Sequence, residues 1–148
     1  MRDEECTSTL RILIVDDVAV NRKILQLMLS RLGHKADMVT NGKEAVQALA
    51  NQHYDLIFMD LQMPILDGLR AAQTIRENLS GKEQPYIIAI TAYADRFDKE
   101  TCKNAGMNDY LTKPATLNDI RVAVESAQIQ MKKRGLYTCE KIVVDRIY

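Results

Sequence analysis

Four short apolar runs along the chain each end in polar residues of the kind that handle phosphate or a metal ion. The runs and their polar ends are residues 12–15 with Asp16 and Asp17, residues 56–59 with Asp60, residues 87–90 with Thr91, and residues 109–112 with Lys113. Such runs, alternating with segments of helical periodicity, predict parallel strands buried on both faces of a sheet. Because ligands of open α/β sheets bind at the carboxyl ends of the strands, we expect these polar groups to meet at one edge.

The first two connecting segments have the periodicity and the end signals of helices. A helix is expected over about residues 21–32, closed by Gly33 in a left-handed conformation. A short strand should follow over residues 36–39, and Asn41 with Glu44 is typical of a capping box that begins a second helix, to about residue 51. The face that the first helix should bury consists of Ile24, Leu25, Met28, Leu29 and Leu32.

Three more helices complete the expected alternation. Asp67 should cap a helix that runs to about residue 78, and a fourth helix is expected over about residues 95–105, with Gly106 at its end. Thr116 should cap the fifth. The apolar seam of this last helix consists of Leu117, Ile120, Val124, Ala127 and Met131. The pattern predicts a doubly wound α/β fold with five parallel strands and five helices.

The 148 residues suit one folded domain with two flanking segments. We place the domain at residues 10–134, after a polar N-terminal segment of residues 1–9 and before a C-terminal tail or linker of residues 135–148. The apolar residues 142–144 in this tail have no obvious core to enter. We therefore expect the tail to pack on a second copy, a neighbouring domain or the back of its own domain.

The overall composition argues against several classes of partner. The formal net charge is zero, from 20 basic and 20 acidic residues, so no basic excess drives binding to nucleic acid or to a membrane. No run approaches the roughly 20 apolar residues of a membrane span, and the polar N-terminus is not typical of a signal peptide. Cys6, Cys102 and Cys139 fit neither a disulfide framework nor a zinc site, which indicates a reducing cytoplasm.

Asp16, Asp17 and Asp60 are the strongest chemical signal in the chain. Two carboxylates about 4 Å apart repel by roughly 4 kcal/mol at an effective dielectric near 20. A shared proton, the Lys113 ammonium or a divalent cation must offset this repulsion, and an all-oxygen site favours Mg²⁺. Beside a metal and a lysine, a carboxylate can attack phosphorus. Asp60 suits this role because the adjacent pair is better placed to hold the metal.

At these positions the chain resembles the receiver domain of two-component response regulators, including receivers attached to hybrid histidine kinases. The resemblance covers about residues 10–131 and implies a flavodoxin-like fold with strand order 2-1-3-4-5. Lys113-Pro114 resembles the family's cis peptide, whereas Val18 departs from the Asn that hybrid-type receivers often have. The matching motifs are IVDD at 14–17, MDLQMP at 59–64, DG at 67–68, ITA at 90–92, AGMNDY at 105–110 and LTKP at 111–114.

The resemblance implies a phosphoacceptor and a set of metal ligands. Asp60 would accept phosphate from a phosphohistidine. Asp17 would ligate Mg²⁺ directly and Asp16 would hold it through water, while Asp60 and the backbone carbonyl of Gln62 would complete the protein ligands.

It also implies a switch. Lys113, Thr91 and the Ala92 amide would contact the phosphoryl group. Tyr110 matches the aromatic residue that moves inward when the Thr91 hydroxyl is drawn towards phosphate.

Several functions remain open for such a site. The chain could be a regulator that acts by docking, or a receiver excised from a hybrid sensor histidine kinase or a longer regulator. Its phosphodonor would be a histidine kinase or a histidine phosphotransfer protein, and a second copy in a homodimer or a neighbouring domain is a further candidate partner. An aspartate-nucleophile phosphatase is an alternative, but Gln62 stands where such enzymes usually have their general acid. A degenerate receiver that only docks conflicts with the intact Asp60 and Lys113.

Overall fold

The computed structural model of the chain describes residues 10–92 and 99–133. Its elements are β1 (Ile12–Val15), α1 (Ala19–Arg31), β2 (Ala36–Val39), α2 (Gly42–Asn51), β3 (Leu56–Asp60), α3 (Gly68–Asn78), β4 (Tyr86–Thr91), α4 (Lys99–Asn104), β5 (Asp109–Thr112) and α5 (Leu117–Lys133). The five strands form one parallel sheet in the order β2-β1-β3-β4-β5. Across these residues the predicted fold class, strand order and number of helices are confirmed.

The sheet has a separate apolar core on each face, because successive residues of a strand point to opposite sides. On one face, Leu13 and Ile57 pack with residues of α2 and α3. On the other face, Ile14 and Phe58 pack with residues of α1 and α5. Each of these four side chains is at most 1% exposed, and burying one contributes about 1.5–3 kcal/mol. The central strands β1 and β3 are therefore firm supports for the residues that follow them.

Local hydrogen bonds define the helix ends as the sequence predicts. Asn41, Asp67 and Thr116 each accept a side-chain hydrogen bond from the backbone N–H three residues later, at 2.9, 2.9 and 3.0 Å. Gly33 and Gly106, which follow α1 and α4, have φ values of +88° and +100°. These angles lie in the left-handed region that favours glycine at the end of a helix.

The buried face of α1 is narrower than predicted. Leu29 is fully buried, but Ile24 is 49% exposed, so its assignment to the core is wrong. Ile24 lines a groove beside Pro114. The helix also begins at Ala19, two residues before its predicted start.

The elements at the edge of the sheet are also less buried than predicted. No strand among the described residues pairs with the outer side of β5, and β5 is accordingly only half-buried. Leu117, in the first turn of α5, is 37% exposed, whereas the rest of the predicted seam is buried. The predicted start of the fourth helix and the predictions for both flanking segments fall on residues 93–98, 1–9 and 134–148, outside the described residues.

None of the helices in the described part of the chain combines the length and the apolar character needed to cross a bilayer.

Candidate functional site

The carboxyl ends of β1 and β3 bring three acidic side chains together. The two strands are adjacent and in register, so that Asp16 and Asp60 come at the same level of the sheet. Both are buried, each with 6% exposure, while Asp17 is exposed. One carboxylate oxygen of each residue lies within 4.8 Å of the other two. The structure thus assembles the three aspartates that the sequence singled out.

Lys113 follows β5, and its side-chain ammonium lies in the same cluster. Its Nζ lies 2.9 Å from Asp16 Oδ2 and 3.6 Å from Asp60 Oδ2. Its backbone N–H donates to the Thr91 carbonyl at 2.8 Å, and the Lys113–Pro114 peptide is cis. One ammonium therefore lies beside three carboxylates.

The Asp60 carboxyl is strongly perturbed by this environment. Burial raises its pKa to about 6. The Lys113 ammonium opposes this rise, as does the hydrogen bond from the Gln62 N–H, while the charges of Asp16 and Asp17 add to it. Lys113 alone does not offset the negative charge, so a further cation would favour the ionised form of Asp60.

Short local contacts hold the two buried carboxylates in place. Asp16 Oδ1 accepts from the Val18 N–H at 2.9 Å, and Asp60 Oδ1 accepts from the Gln62 N–H at 3.3 Å. Gly68, at the start of α3, lies against the backbone of Asp60, where an added Cβ would be 2.3 Å from the Asp60 carbonyl oxygen. Only glycine fits this approach, which fixes the end of β3 against the helix.

The next two strands place the remaining predicted site residues on the other side of Asp60. β4 pairs with β3, with Ile90 opposite Asp60. Thr91 ends β4 and is fully buried, and the exposed Ala92 follows it. Tyr110 lies half-buried on β5, the neighbour of β4. A hydroxyl and an aromatic side chain are thus carried by the strands next to the acidic cluster.

Arg22 belongs to the surroundings of the site, although no sequence pattern pointed to it. Its Nη1 donates to the backbone carbonyl of Asp16 at 2.7 Å. The one available signal was a basic residue in the first turn of the helix that follows the acidic pair.

The donor atoms of the cluster fit a hard divalent cation. In the described residues, Asp16, Asp17 and Asp60 are the one group of at least three His, Cys, Asp or Glu residues whose ligand atoms come this close. All of these donors are oxygens, which favours Mg²⁺ over zinc. The exposed Asp17 carboxylate is available to such an ion, since it has no hydrogen-bond partner among the described residues.

Comparison with known proteins identifies the family. Residues 12–125 match the model of the response regulator receiver domain. The chain therefore belongs to the receiver domain family, the signalling modules of two-component systems.

Two relatives by sequence show the range of proteins that contain such a domain. Hybrid signal transduction histidine kinase K of Dictyostelium discoideum is 41% identical over 132 residues, which cover 85% of this chain and 11% of that protein. Two-component response regulator 24 of Arabidopsis thaliana is 44% identical over 114 residues, which cover 76% of this chain and 80% of that protein. The chain thus spans about a tenth of the length of the hybrid kinase and most of the length of the regulator.

Two solved structures are similar in both fold and sequence. The receiver domain of the sensor histidine kinase PA1611 from Pseudomonas aeruginosa, with magnesium coordinated in its active site cleft, has a TM-score of 0.72 and 37% identity. The match covers 82% of this chain and 98% of that one. The receiver domain of Ssk1 from Saccharomyces cerevisiae, in complex with the histidine phosphotransfer protein Ypd1, has a TM-score of 0.76 and 33% identity. That match covers 84% of this chain and 91% of the other.

Proposed function

We propose that Asp60 accepts a phosphoryl group from a phosphohistidine donor, with Mg²⁺ as the cofactor, and that the resulting change of conformation signals through protein contacts. The observation that carries this proposal is the environment of Asp60. Its carboxylate is buried at the end of β3, beside two further carboxylates and the Lys113 ammonium. A raised pKa in such a cluster is typical of a functional group.

Asp60 suits the role of nucleophile better than its two neighbours. Both oxygens of Asp16 already accept short hydrogen bonds, from the Val18 N–H and from Lys113 Nζ, each at 2.9 Å. Asp17 is exposed, so a phosphoryl group there would not be enclosed by the protein. Asp60 Oδ2 has the Lys113 ammonium at 3.6 Å and is the less engaged oxygen of a buried carboxylate. That oxygen is available to attack phosphorus.

The transfer needs one bond to form and one to break. An oxygen of Asp60 attacks phosphorus, the P–N bond to the donor imidazole breaks, and its electron pair returns to the ring. Lys113 would offset charge on the phosphoryl oxygens, and the Thr91 hydroxyl and the Ala92 amide would donate hydrogen bonds to them. When bound, Mg²⁺ would supply additional positive charge to these oxygens.

The exposure and the hydrogen bonds of Asp16 and Asp17 support different roles for these two residues in binding Mg²⁺. Asp17 would bind Mg²⁺ directly, because its carboxylate is exposed and unpaired among the described residues. Asp16 would act through water, since both of its oxygens are already occupied by protein donors. Asp60 and the carbonyl of Gln62 would complete the set. The magnesium ion in the active site cleft of the PA1611 receiver supports Mg²⁺ as the cofactor.

The phosphoryl group would signal through Thr91 and Tyr110. Phosphorylation can shift a conformational equilibrium only by interacting differently with its two states. Movement of the Thr91 hydroxyl towards phosphate would leave space for Tyr110 to move inward. The position of these residues on the adjoining strands β4 and β5 supports such a coupling.

An apolar surface beside the acidic cluster suits the phosphodonor. Val18, Val20 and Ile24 are 45%, 63% and 49% exposed around the start of α1. Of these, Ile24 lines a groove that also reaches Asp16 and Lys113. The complex of the Ssk1 receiver with Ypd1 favours a histidine phosphotransfer protein as the occupant, with a histidine kinase as the other possible donor. The same proposal includes a cytoplasmic location and, as a further protein partner, a second copy in a homodimer or a neighbouring domain.

An aspartate-nucleophile phosphatase would use a similar set of groups, but Gln62 argues against rapid turnover. An amide cannot donate and take back a proton as a general acid does. Self-catalysed phosphorylation and slow loss of phosphate from Asp60 therefore fit the chain better than an enzyme that turns over.

Incubation with acetyl phosphate and Mg²⁺ tests the proposal. We expect one base-labile phosphate on Asp60, located by mass spectrometry, and none on Asp60→Asn, because the amide is not a nucleophile. Asp67→Asn is the matched control, since Asp67 caps α3 and both side chains can serve as caps. Phosphate at another residue, or none on the wild type, would overturn the assignment of Asp60.

A further inference from the structure

Arg22 connects the first turn of α1 to the loop that carries two of the acids. It is half-buried, and its Nη1 donates to the backbone carbonyl of Asp16 at 2.7 Å. A charged donor at this distance makes a strong hydrogen bond. The guanidinium therefore holds the main chain of Asp16 and not the side chain that faces the site.

The backbone of Arg22 makes a second contact with the same loop. Its N–H donates to the carbonyl of Val18 at 3.1 Å. The bond to Val18 is the i→i−4 main-chain bond of the first helical turn, whereas the bond to the Asp16 carbonyl is made by the side chain of Arg22. No described residue donates to the Asp17 carboxylate itself. The location of this carboxylate consequently depends on the backbone that Arg22 holds.

The positive charge of Arg22 is not neutralised by an ion pair in the described residues. Hydrogen bonds from Thr40 are the main cause of the lowered pKa of Glu44, and the Arg22 charge is the smallest contribution to it. Arg22 forms no ion pair within 4 Å in the described part of the chain, and the one hydrogen bond of its side chain there is to the Asp16 carbonyl.

From these contacts we infer that Arg22 is a positioning residue for the metal site, which fixes the loop so that Asp17 can bind Mg²⁺. This inference rests on the proposed role of Asp17 as a direct ligand. Residues that orient metal ligands typically contribute 10–100-fold to metal affinity.

Loss of positioning by Arg22 and loss of its positive charge change the Mg²⁺ affinity in opposite directions. A guanidinium near three carboxylates repels a divalent cation, so its removal would by charge alone strengthen Mg²⁺ binding. Loss of positioning would weaken binding, since the ligand would have to be ordered when the ion binds. The direction of the change in affinity therefore tells the two apart.

Calorimetric titration of the metal-free protein with MgCl₂ provides the test. We expect Arg22→Gln to weaken the affinity about tenfold, and Arg22→Lys about threefold, because a lysine retains the charge but not the planar fork of donors. Lys23→Gln is the matched control. It removes a charge from the next residue, whose Nζ bonds only Gln26 in the described chain, and should leave the affinity unchanged or slightly higher.

A second readout needs no metal. Exchange of the Val18 amide, which donates to Asp16 Oδ1, should be faster in both Arg22 variants of the metal-free protein than in the wild type. At saturating Mg²⁺, labelling of Asp60 by acetyl phosphate should return to the wild-type rate, since the loss lies in binding.

The results of these measurements distinguish the positioning role of Arg22 from the proposed metal site itself. Wild-type affinity in both Arg22 variants, or tighter binding in Arg22→Gln, would overturn the positioning role. If Arg22→Gln does not fold, wild-type affinity and wild-type Val18 exchange in Arg22→Lys would overturn it equally. A wild-type protein that binds no Mg²⁺ would instead overturn the proposed metal site.

Discussion

Arg76 and Lys113 are two cations at opposite ends of the same sheet, and the oxygens that accept their hydrogen bonds can be compared. Arg76 lies on α3 and donates to backbone and amide oxygens near the amino ends of β4 and β5. These acceptors, with their distances, are the Gly106 carbonyl at 2.8 Å, Gln84 Oε1 at 3.0 Å, the Pro85 carbonyl at 2.7 Å and Asn108 Oδ1 at 2.8 Å. Lys113, at the carboxyl ends, instead faces charged carboxylates.

The cation at the amino end of the sheet stabilises the fold, whereas the cation at the carboxyl end belongs to the candidate functional site. The planar guanidinium of Arg76 directs donors at fixed backbone and amide oxygens, so these four contacts contribute to one conformation. The ammonium of Lys113 is a point charge shared unequally between Asp16 and Asp60. Its site retains excess negative charge, which disfavours the metal-free fold and favours binding of a cation. We expect substitutions at the two ends to act on different quantities.

The largest effect on stability is expected from Arg76→Met. This change leaves the Gly106 and Pro85 carbonyls without their donor and should lower the free energy of unfolding by about 3 kcal/mol. Urea denaturation measures it. The control is Arg70→Met, on the exposed face of the same helix, which should cost less than about 0.5 kcal/mol. The affinity for Mg²⁺ should stay within twofold of wild type, and a larger loss would show that the two ends are coupled.

The next largest effect has the opposite sign. Asp60→Asn should stabilise the metal-free protein by about 2 kcal/mol at pH 7, since burial raises the Asp60 pKa to about 6. A folded-state pKa above the unfolded value means that ionisation destabilises the fold. The gain should therefore be absent below about pH 4, grow up to about pH 6 and be constant above it.

Thermal denaturation of wild type and variant from pH 4 to 8 in a chelating buffer measures this gain. Asp67→Asn is the control for the same change of side chain at the exposed cap of α3. Equal stability of Asp60→Asn and wild type at pH 7 would mean that ionisation of Asp60 does not destabilise the metal-free fold.

Addition of Mg²⁺ should stabilise the wild type, because the ion offsets the repulsion among the carboxylates. At ten times its dissociation constant, an ion that binds only the folded state stabilises it by about 1.4 kcal/mol. Asp17→Asn should lose most of this increment, whereas Arg76→Met should retain it in full despite its lower starting stability. An equal increment in Asp17→Asn and wild type would remove Asp17 from the ligand set.

The smallest effect on stability is expected from Thr91→Ala, at about 1 kcal/mol for the loss of one buried hydroxyl. Asp60 should still be phosphorylated, but hydrogen exchange around Tyr110 should no longer respond to phosphate. An unchanged response in the variant would show that the signal leaves the site by a route other than Thr91.

Much of the fold and of the site was predictable because the deciding signals are local. Strand ends are visible as apolar runs that stop at Asp16, Asp60 and Thr91, and helix ends follow from caps such as Asn41 and Asp67. Ile24 shows where the local rule fails. Periodicity identifies an apolar face of a helix, but exposure depends on which other elements lie above it, and at Ile24 there is a groove.

The sequence by itself determined which groups come to the carboxyl edge, because parallel strands place their ends there whatever the details of packing. Only the tertiary structure decided how those groups are paired. Lys113 lies nearer to Asp16 than to Asp60, across 97 residues of chain, and Arg22 bonds a carbonyl that no motif marks. Such pairings depend on differences of less than an ångström between distant segments. They are set when the two cores pack around the sheet, since that step alone fixes the segments relative to one another.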